Sequence, residues 1–227
     1  SQRTMTIYFD IETTGFAPSG RITCVVTYSK GRSKVWATPN DDGGYALMDE
    51  KTVLELVDFF EAEGDMGRKV VSYNGGSFDF HMLWLHVSDA KAKKRIEQLA
   101  LNHFDLHLAC ILSRGHRVKL DSIAMASLGK VKTATGANAI EMWNKAEYSE
   151  LFRYCVNDVE LLRDLHELAL SENRLTFESK KGNIFTFSLA DYMGLSADEM
   201  SKRSPKKEDW MGDNAGLVKV FDWIPSA

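Results

Sequence analysis

The first third of the chain carries apolar runs of strand character, and most of the rest carries apolar stripes of helical period. Residues 5–11 are rich in β-branched and aromatic side chains and predict a buried strand. Residues 21–30 and 33–38 predict two more. Lys30-Gly31-Arg32 is the turn between them, so the three strands read as an antiparallel meander. In residues 51–63, Val53, Leu54, Val57 and Phe60 form one apolar helical stripe. Residues 69–73 predict a fourth strand, broken by Asn74-Gly75-Gly76. Helices are expected over 77–86, 89–101, 106–112, 120–128 and 138–143, with the longest over 146–173. A Lys-Lys-Gly-Asn turn at Gly182 predicts a hairpin of 175–179 with 184–187. Residues 217–224 read as a final strand.

Three strands, a helix, a strand and then mainly helices predict an α/β or α+β domain built on one mixed sheet with helices on its faces. The expected division is a domain over 5–173 and an appendage over 174–227 packed on it, holding the hairpin, a helix and a basic segment. At 227 residues, 44% hydrophobic and 26% charged, the chain has ordinary globular composition and length for a substantial core. The three cysteines, Cys24, Cys110 and Cys155, are widely spaced, which disfavours a zinc site or a disulfide framework and favours buried thiols. No apolar run reaches membrane-spanning length, and residues 1–4 preceding Met5 carry no signal-peptide pattern. A cytoplasmic or nuclear protein without membrane contact is expected. The net charge of −4 excludes a protein held to nucleic acid by bulk positive charge.

Acidic residues supply the candidate chemistry. In Phe9-Asp10-Ile11-Glu12-Thr13-Thr14-Gly15, strand alternation puts Asp10 and Glu12 on one face, where a divalent cation would relieve their repulsion. Asp-x-Glu is weak by itself, and Asp158-Val159-Glu160 is a second instance. Its position closing an apolar strand is what marks the first. Asn74-x3-Phe78-Asp79 lies at a strand-to-helix turn and is a much rarer pattern. Tyr154 and Asp158 are i and i+4 on the longest helix, so phenol and carboxylate share a face.

Taken in order, Asp10-x-Glu12, Asn74-x3-Phe78-Asp79 and Tyr154-x3-Asp158 resemble the three motifs of the DEDD 3′–5′ exonucleases, which have a ribonuclease H-like fold. Tyrosine in the third motif points to the DEDDy branch. The histidine branch would place His where this chain has Arg153. The wording Tyr73-Asn74-Gly75-Gly76-Ser77-Phe78-Asp79-Phe80-His81 is most similar to the proofreading exonuclease of family B DNA polymerases and its stand-alone relatives. The resemblance covers residues 5–173. It implies a ribonuclease H-like mixed five-stranded sheet and hydrolysis of phosphodiesters at single-stranded 3′ ends with two Mg²⁺ or Mn²⁺ ions. By the family pattern, Asp10 bridges both ions, Glu12 and Asp158 complete the site that activates water, Asp79 holds the second ion, and Tyr154 orients the attacking water. Thr13, Thr14 and Gly15 would lie against the terminal nucleotide. Asn74 and Phe78 would support the strand end, with Phe78 either stacking beside a base or filling the core. DNA is favoured over RNA by the second motif, with an RNA-trimming enzyme or a catalytically silent nucleic-acid-binding module as alternatives. Candidate strand guides are the clusters Arg114/Arg117/Lys119, Lys130/Lys132 and Lys202/Arg203/Lys206/Lys207. Trp210 and Trp223 either offer stacking platforms or pin the tail, the second reading being slightly preferred.

Overall fold

Alternating side chains and a two-residue turn fold the start of the chain back on itself twice. In the computed structural model, which describes residues 5–130 and 134–226, β1 (Thr6–Thr13), β2 (Ile22–Ser29) and β3 (Arg32–Trp36) form the antiparallel meander. Asp10 lies opposite Val26 and Glu12 opposite Cys24, and the register slips between Glu12 and Thr13. A small ribbon of β4 (Thr38–Pro39) and β5 (Tyr45–Ala46) leads into α1 (Glu50–Asp65), capped by the Asp49 carboxylate. Next comes β6 (Lys69–Ser72), parallel to β1, then α2 (Asp79–Leu85), α3 (Ala90–Asn102) and β7 (Phe104–Asp105), parallel to β6. The result is a mixed five-stranded sheet in the order β3-β2-β1-β6-β7, as the resemblance implied. Two-residue β7 is too short to leave a periodic signal, which is why residues 104–105 carry no strand expectation.

The helices that follow are α4 (Leu106–Arg114), α5 (Leu120–Leu128), α6 (Gly136–Asn144) and α7 (Tyr148–Glu172). The alternation of β1 sorts the core into two layers. Ile7, Phe9 and Ile11 point to the face covered by α1, α2 and α3. Tyr8 points to the opposite face, covered by α4, α5 and α7. Asp10 and Glu12 share the parity of Tyr8, so they emerge toward α7.

The chain beyond α7 shares this second core. Leu175 and Phe177 of β8 (Arg174–Glu178), Phe187 of β9 (Ile184–Ser188), Met200 of α8 (Ala197–Ser201) and Val220 belong to the same buried cluster as α4 and α7. Ser127 Oγ donates to the Thr176 carbonyl at 2.8 Å and accepts from the Thr176 N–H at 2.9 Å, fastening the hairpin to α5. The strand expected at 217–224 does not form. Ala215–Val218 is instead a 3₁₀ turn. Phe221 and Trp223 alternate like strand residues, but they are held by side-chain packing rather than by backbone pairing. Trp223 Nε1 donates to the Gly76 carbonyl at 2.8 Å and its ring stacks on His81, so this tryptophan pins the tail. Trp210 does not, being 73% exposed. No helix among the described residues is long and apolar enough to cross a membrane.

Candidate active site

Asp10 and Glu12 meet the third motif because α7 crosses the face of β1 from which they emerge. The Cys155 thiol reaches the Asp10 carbonyl at 3.7 Å, fastening the helix against the strand. This brings Tyr154 and Asp158, one turn apart on α7, over the β1 carboxylates. Asp10, Glu12, Tyr154 and Asp158 all line one open cleft of about 500 Å³, together with Asn74, Arg117 and Lys119. Asp79 approaches from the other motif. As the first residue of α2 it is buried outside the cleft lining, close enough to Asp10 for their charges to interact.

The electrostatics of this group are unfavourable without a cation. Asp79 is buried, and burial followed by the charges of Asp10 and Asp105 raises its pKa well above the usual carboxylate range. Backbone N–H groups of Asp79 itself and of Ile11 pull the other way. Its Oδ2 is buried and meets no hydrogen-bond donor among the described residues. Such an oxygen is costly unless something positive completes it. The Tyr154 phenol is pushed far up, first by burial and then by the charges of Asp158, Glu12 and Asp10, with a hydrogen bond to Asp158 acting in the same direction.

Ligand atoms of Asp10, Glu12 and Cys155 lie within 4.8 Å of one another. The thiol is an unfavourable ligand. A hydrogen bond with Cys24, then burial, then the charges of Cys24, Asp10 and Glu12 hold it protonated. All three cysteines are free and buried. Hard cations take oxygen, so Asp10 and Glu12 are the residues of this cluster that could hold a divalent ion, with Cys155 as wall.

The remaining sequence candidates divide. Asn74 lines the cleft in a left-handed conformation (φ 72°). Its N–H donates to Asp105 Oδ1 at 2.8 Å, and its side-chain oxygen accepts from Ser77 Oγ at 2.7 Å. Phe78 is half-buried against the α1–α3 core, edge-on to the exposed Phe16 at 6.3 Å. Thr13 and Thr14 spend their hydroxyls on the turn. Thr13 Oγ1 donates to the Gly15 carbonyl at 2.8 Å, and Thr14 Oγ1 accepts from the Arg21 N–H at 3.0 Å. Gly15 lies open at that turn. Lys132 falls outside the described residues. Of the basic clusters, Arg117 and Lys119 reach the cleft. Lys130, Lys202 and Lys206 are each paired to an acid: Asp164, Asp198 and Glu208.

Asp105 carries a role that pattern reading missed. It is almost wholly buried and caps α4 through the N–H groups of His107 and Leu108. It also accepts from the N–H groups of Asn74 and Gly76, so one carboxylate sets the turn that aims Asp79. The only sequence signal was an aspartate directly before an apolar helix, the ordinary N-cap pattern. His107 stacks on Tyr73 with ring centroids 4.7 Å apart.

Among curated proteins, none matches the chain. Among solved structures, it is similar to the family B DNA polymerase from the hyperthermophilic archaeon Pyrobaculum calidifontis. The identity is 21%, the TM-score 0.54, and the match covers 73% of this chain and 24% of that one. The chain thus spans about a quarter of that polymerase, and the likeness is one of fold. The sequence model of the RNase H superfamily matches residues 7–170, nearly the whole stretch that carries the sheet and the three motifs; the chain belongs to the RNase H superfamily, a membership that supports a nuclease acting on nucleic acid.

Proposed function

We propose that the chain is a metal-dependent 3′–5′ exonuclease that hydrolyses phosphodiester bonds at single-stranded 3′ ends, with DNA favoured over RNA. The observation that carries this reading is the group Asp10, Glu12 and Asp158 lining one open cleft, with the buried Asp79 Oδ2, near Asp10, lacking a donor among the described residues. Asp10, Glu12, Asp79 and Asp158 would hold two Mg²⁺ or Mn²⁺ ions. When bound, the ions offset charge building on the attacking and leaving oxygens. The chain's own groups do the rest. Tyr154 stays a neutral phenol, so its hydroxyl orients a water by hydrogen bonding rather than by removing its proton. Asn74 holds the strand-to-helix turn, and Arg117 and Lys119 attract the phosphates at the rim. Polarity and the preference for DNA rest on the match of the three motifs. Residues 5–173 would form the catalytic unit and 174–227 an extension packed on it.

The test is degradation of matched 5′-labelled DNA and RNA oligonucleotides with Mg²⁺ or Mn²⁺. Stepwise shortening of DNA is expected, abolished by Asp10→Ala or Asp158→Ala and reduced roughly 10- to 100-fold by Tyr154→Phe. Equal or faster RNA turnover would reassign the substrate. Hydrolysis that survives Asp10→Ala would move the site elsewhere, and no hydrolysis of either polymer would leave a binding module.

A further inference from the structure

A second, larger groove adjoins the catalytic cleft and shares Arg117, Val118 and Lys119 with it. Its volume is about 720 Å³, and its far side is built by the β8–β9 hairpin and Trp210. Cations and aromatic rings interleave there. Arg114 lies 5.1 Å from the centre of the Phe177 ring and 5.0 Å from that of Phe185. Lys180 and Lys181 line the hairpin turn, with Glu178 as the one acid in the lining. Arg117, Lys119, Lys180 and Lys181 are exposed and have no ion-pair partner among the described residues, in contrast to Lys130, Lys202 and Lys206.

The exposed tryptophan is held in place by its backbone. Gly115 ends α4 with φ 82°, and a Cβ there would lie 2.1 Å from the Lys206 carbonyl oxygen, so the 206–214 segment packs directly on the helix end. The Lys206 N–H donates to the Leu112 carbonyl at 2.9 Å, and Asn214 Nδ2 donates to the carbonyls of Gly115 and Lys206. An indole 73% exposed on so fixed a segment is a preset platform rather than a core residue. Positive charge beside exposed rings suits the phosphates and base faces of single-stranded nucleic acid.

We propose that this groove binds the part of a single strand that lies 5′ of the scissile bond, with Trp210 stacking on a base and Lys180 and Lys181 meeting phosphates. The strand would run from the carboxylates past Arg117 and Lys119 toward the hairpin. The assignment of which end lies in the cleft rests on the exonuclease reading above; the groove's affinity for a single strand does not. The test measures binding of 5′-labelled oligo(dT) and oligo(U), as 3-mers and 15-mers, by fluorescence anisotropy in Ca²⁺, with melting curves to confirm folding. Wild-type protein is expected to bind 15-mers more tightly than 3-mers. Trp210→Ala should raise the 15-mer Kd about tenfold. Lys180→Ala/Lys181→Ala should lower the slope of log Kd against log salt by about 1.4. Equal 15-mer affinity in wild type and Trp210→Ala would overturn the proposal, as would an equal loss for the 3-mer. If the length-dependent loss appears while the wild type releases no mononucleotides with Mg²⁺ or Mn²⁺, the groove stands and the exonuclease reading falls. The oligo(dT) and oligo(U) arms separate DNA from RNA.

Discussion

The Asp105 carboxylate accepts the backbone N–H of Asn74 at 2.8 Å, thirty-one residues away along the chain, and so holds Asn74 at a positive φ of 72°. The same carboxylate takes the N–H of Gly76 and caps α4. The turn that aims Asp79 at the β1 carboxylates is therefore set from β7. Replacing Asp105 with Ala leaves several buried donors without acceptors, each costing about 1–3 kcal/mol. We expect Asp105→Ala to lose at least about 3 kcal/mol of stability by urea denaturation. Asp105→Asn, which keeps the shape, should lose less. A variant as stable as the wild type would show that the turn holds without it.

Asp79 should oppose folding when no cation is bound. Its carboxyl is buried near Asp10 and Asp105, and its raised pKa means that ionisation at neutral pH costs stability. Asp79→Asn is expected to raise the urea midpoint in EDTA, by on the order of 1 kcal/mol. It should also shrink the rise in midpoint that Mn²⁺ is expected to give the wild type. A lower midpoint in EDTA would mean that the carboxylate is stabilising as it stands.

Three buried histidines give a pH dependence of the opposite sense. Burial holds His103 and His166 down at about 4 and His107 at about 3. For His103 a backbone hydrogen bond to Ala100 acts upward and Lys69 acts downward. The unfolded chain takes up these protons near pH 6.5 while the folded chain does not. Stability is therefore complete above about 6.5 and falls as the pH drops toward 4. Between pH 7 and 5 the wild type should lose about 2 kcal/mol more than His103→Gln. Parallel curves for the two proteins would remove His103 from this account.

Trp223 ties the tail to the second motif by stacking on His81 and by its bond to the Gly76 carbonyl. Trp223→Ala should cost about 2 kcal/mol, less than a fully buried tryptophan, and lower the melting temperature. Trp210→Ala removes a mostly exposed ring and should leave the melting temperature within a few degrees of wild type. Similar losses for the two would show that both rings brace the fold.

The pairs Asp10/Glu12 and Tyr154/Asp158 were legible in the sequence because their geometry is local. Residues two apart on a strand share a face, and residues four apart on a helix share a face, wherever those elements pack. The meander, the fourth strand and the long helix were legible for the same reason. What the periods do not carry is which distant groups meet. Asp105 looks like any N-cap until β7 is laid beside β6. Cys155 looks like any buried thiol until α7 crosses β1 and sets its sulfur among ligand atoms of Asp10 and Glu12. Two tryptophans in the tail look alike in sequence, yet one stacks on His81 and bonds the Gly76 carbonyl while the other stays exposed. The sequence by itself determined the elements and the carboxylates they carry. The tertiary structure alone decided the floor of the cleft and the groove beside it, since both are made by contacts between segments far apart in the chain.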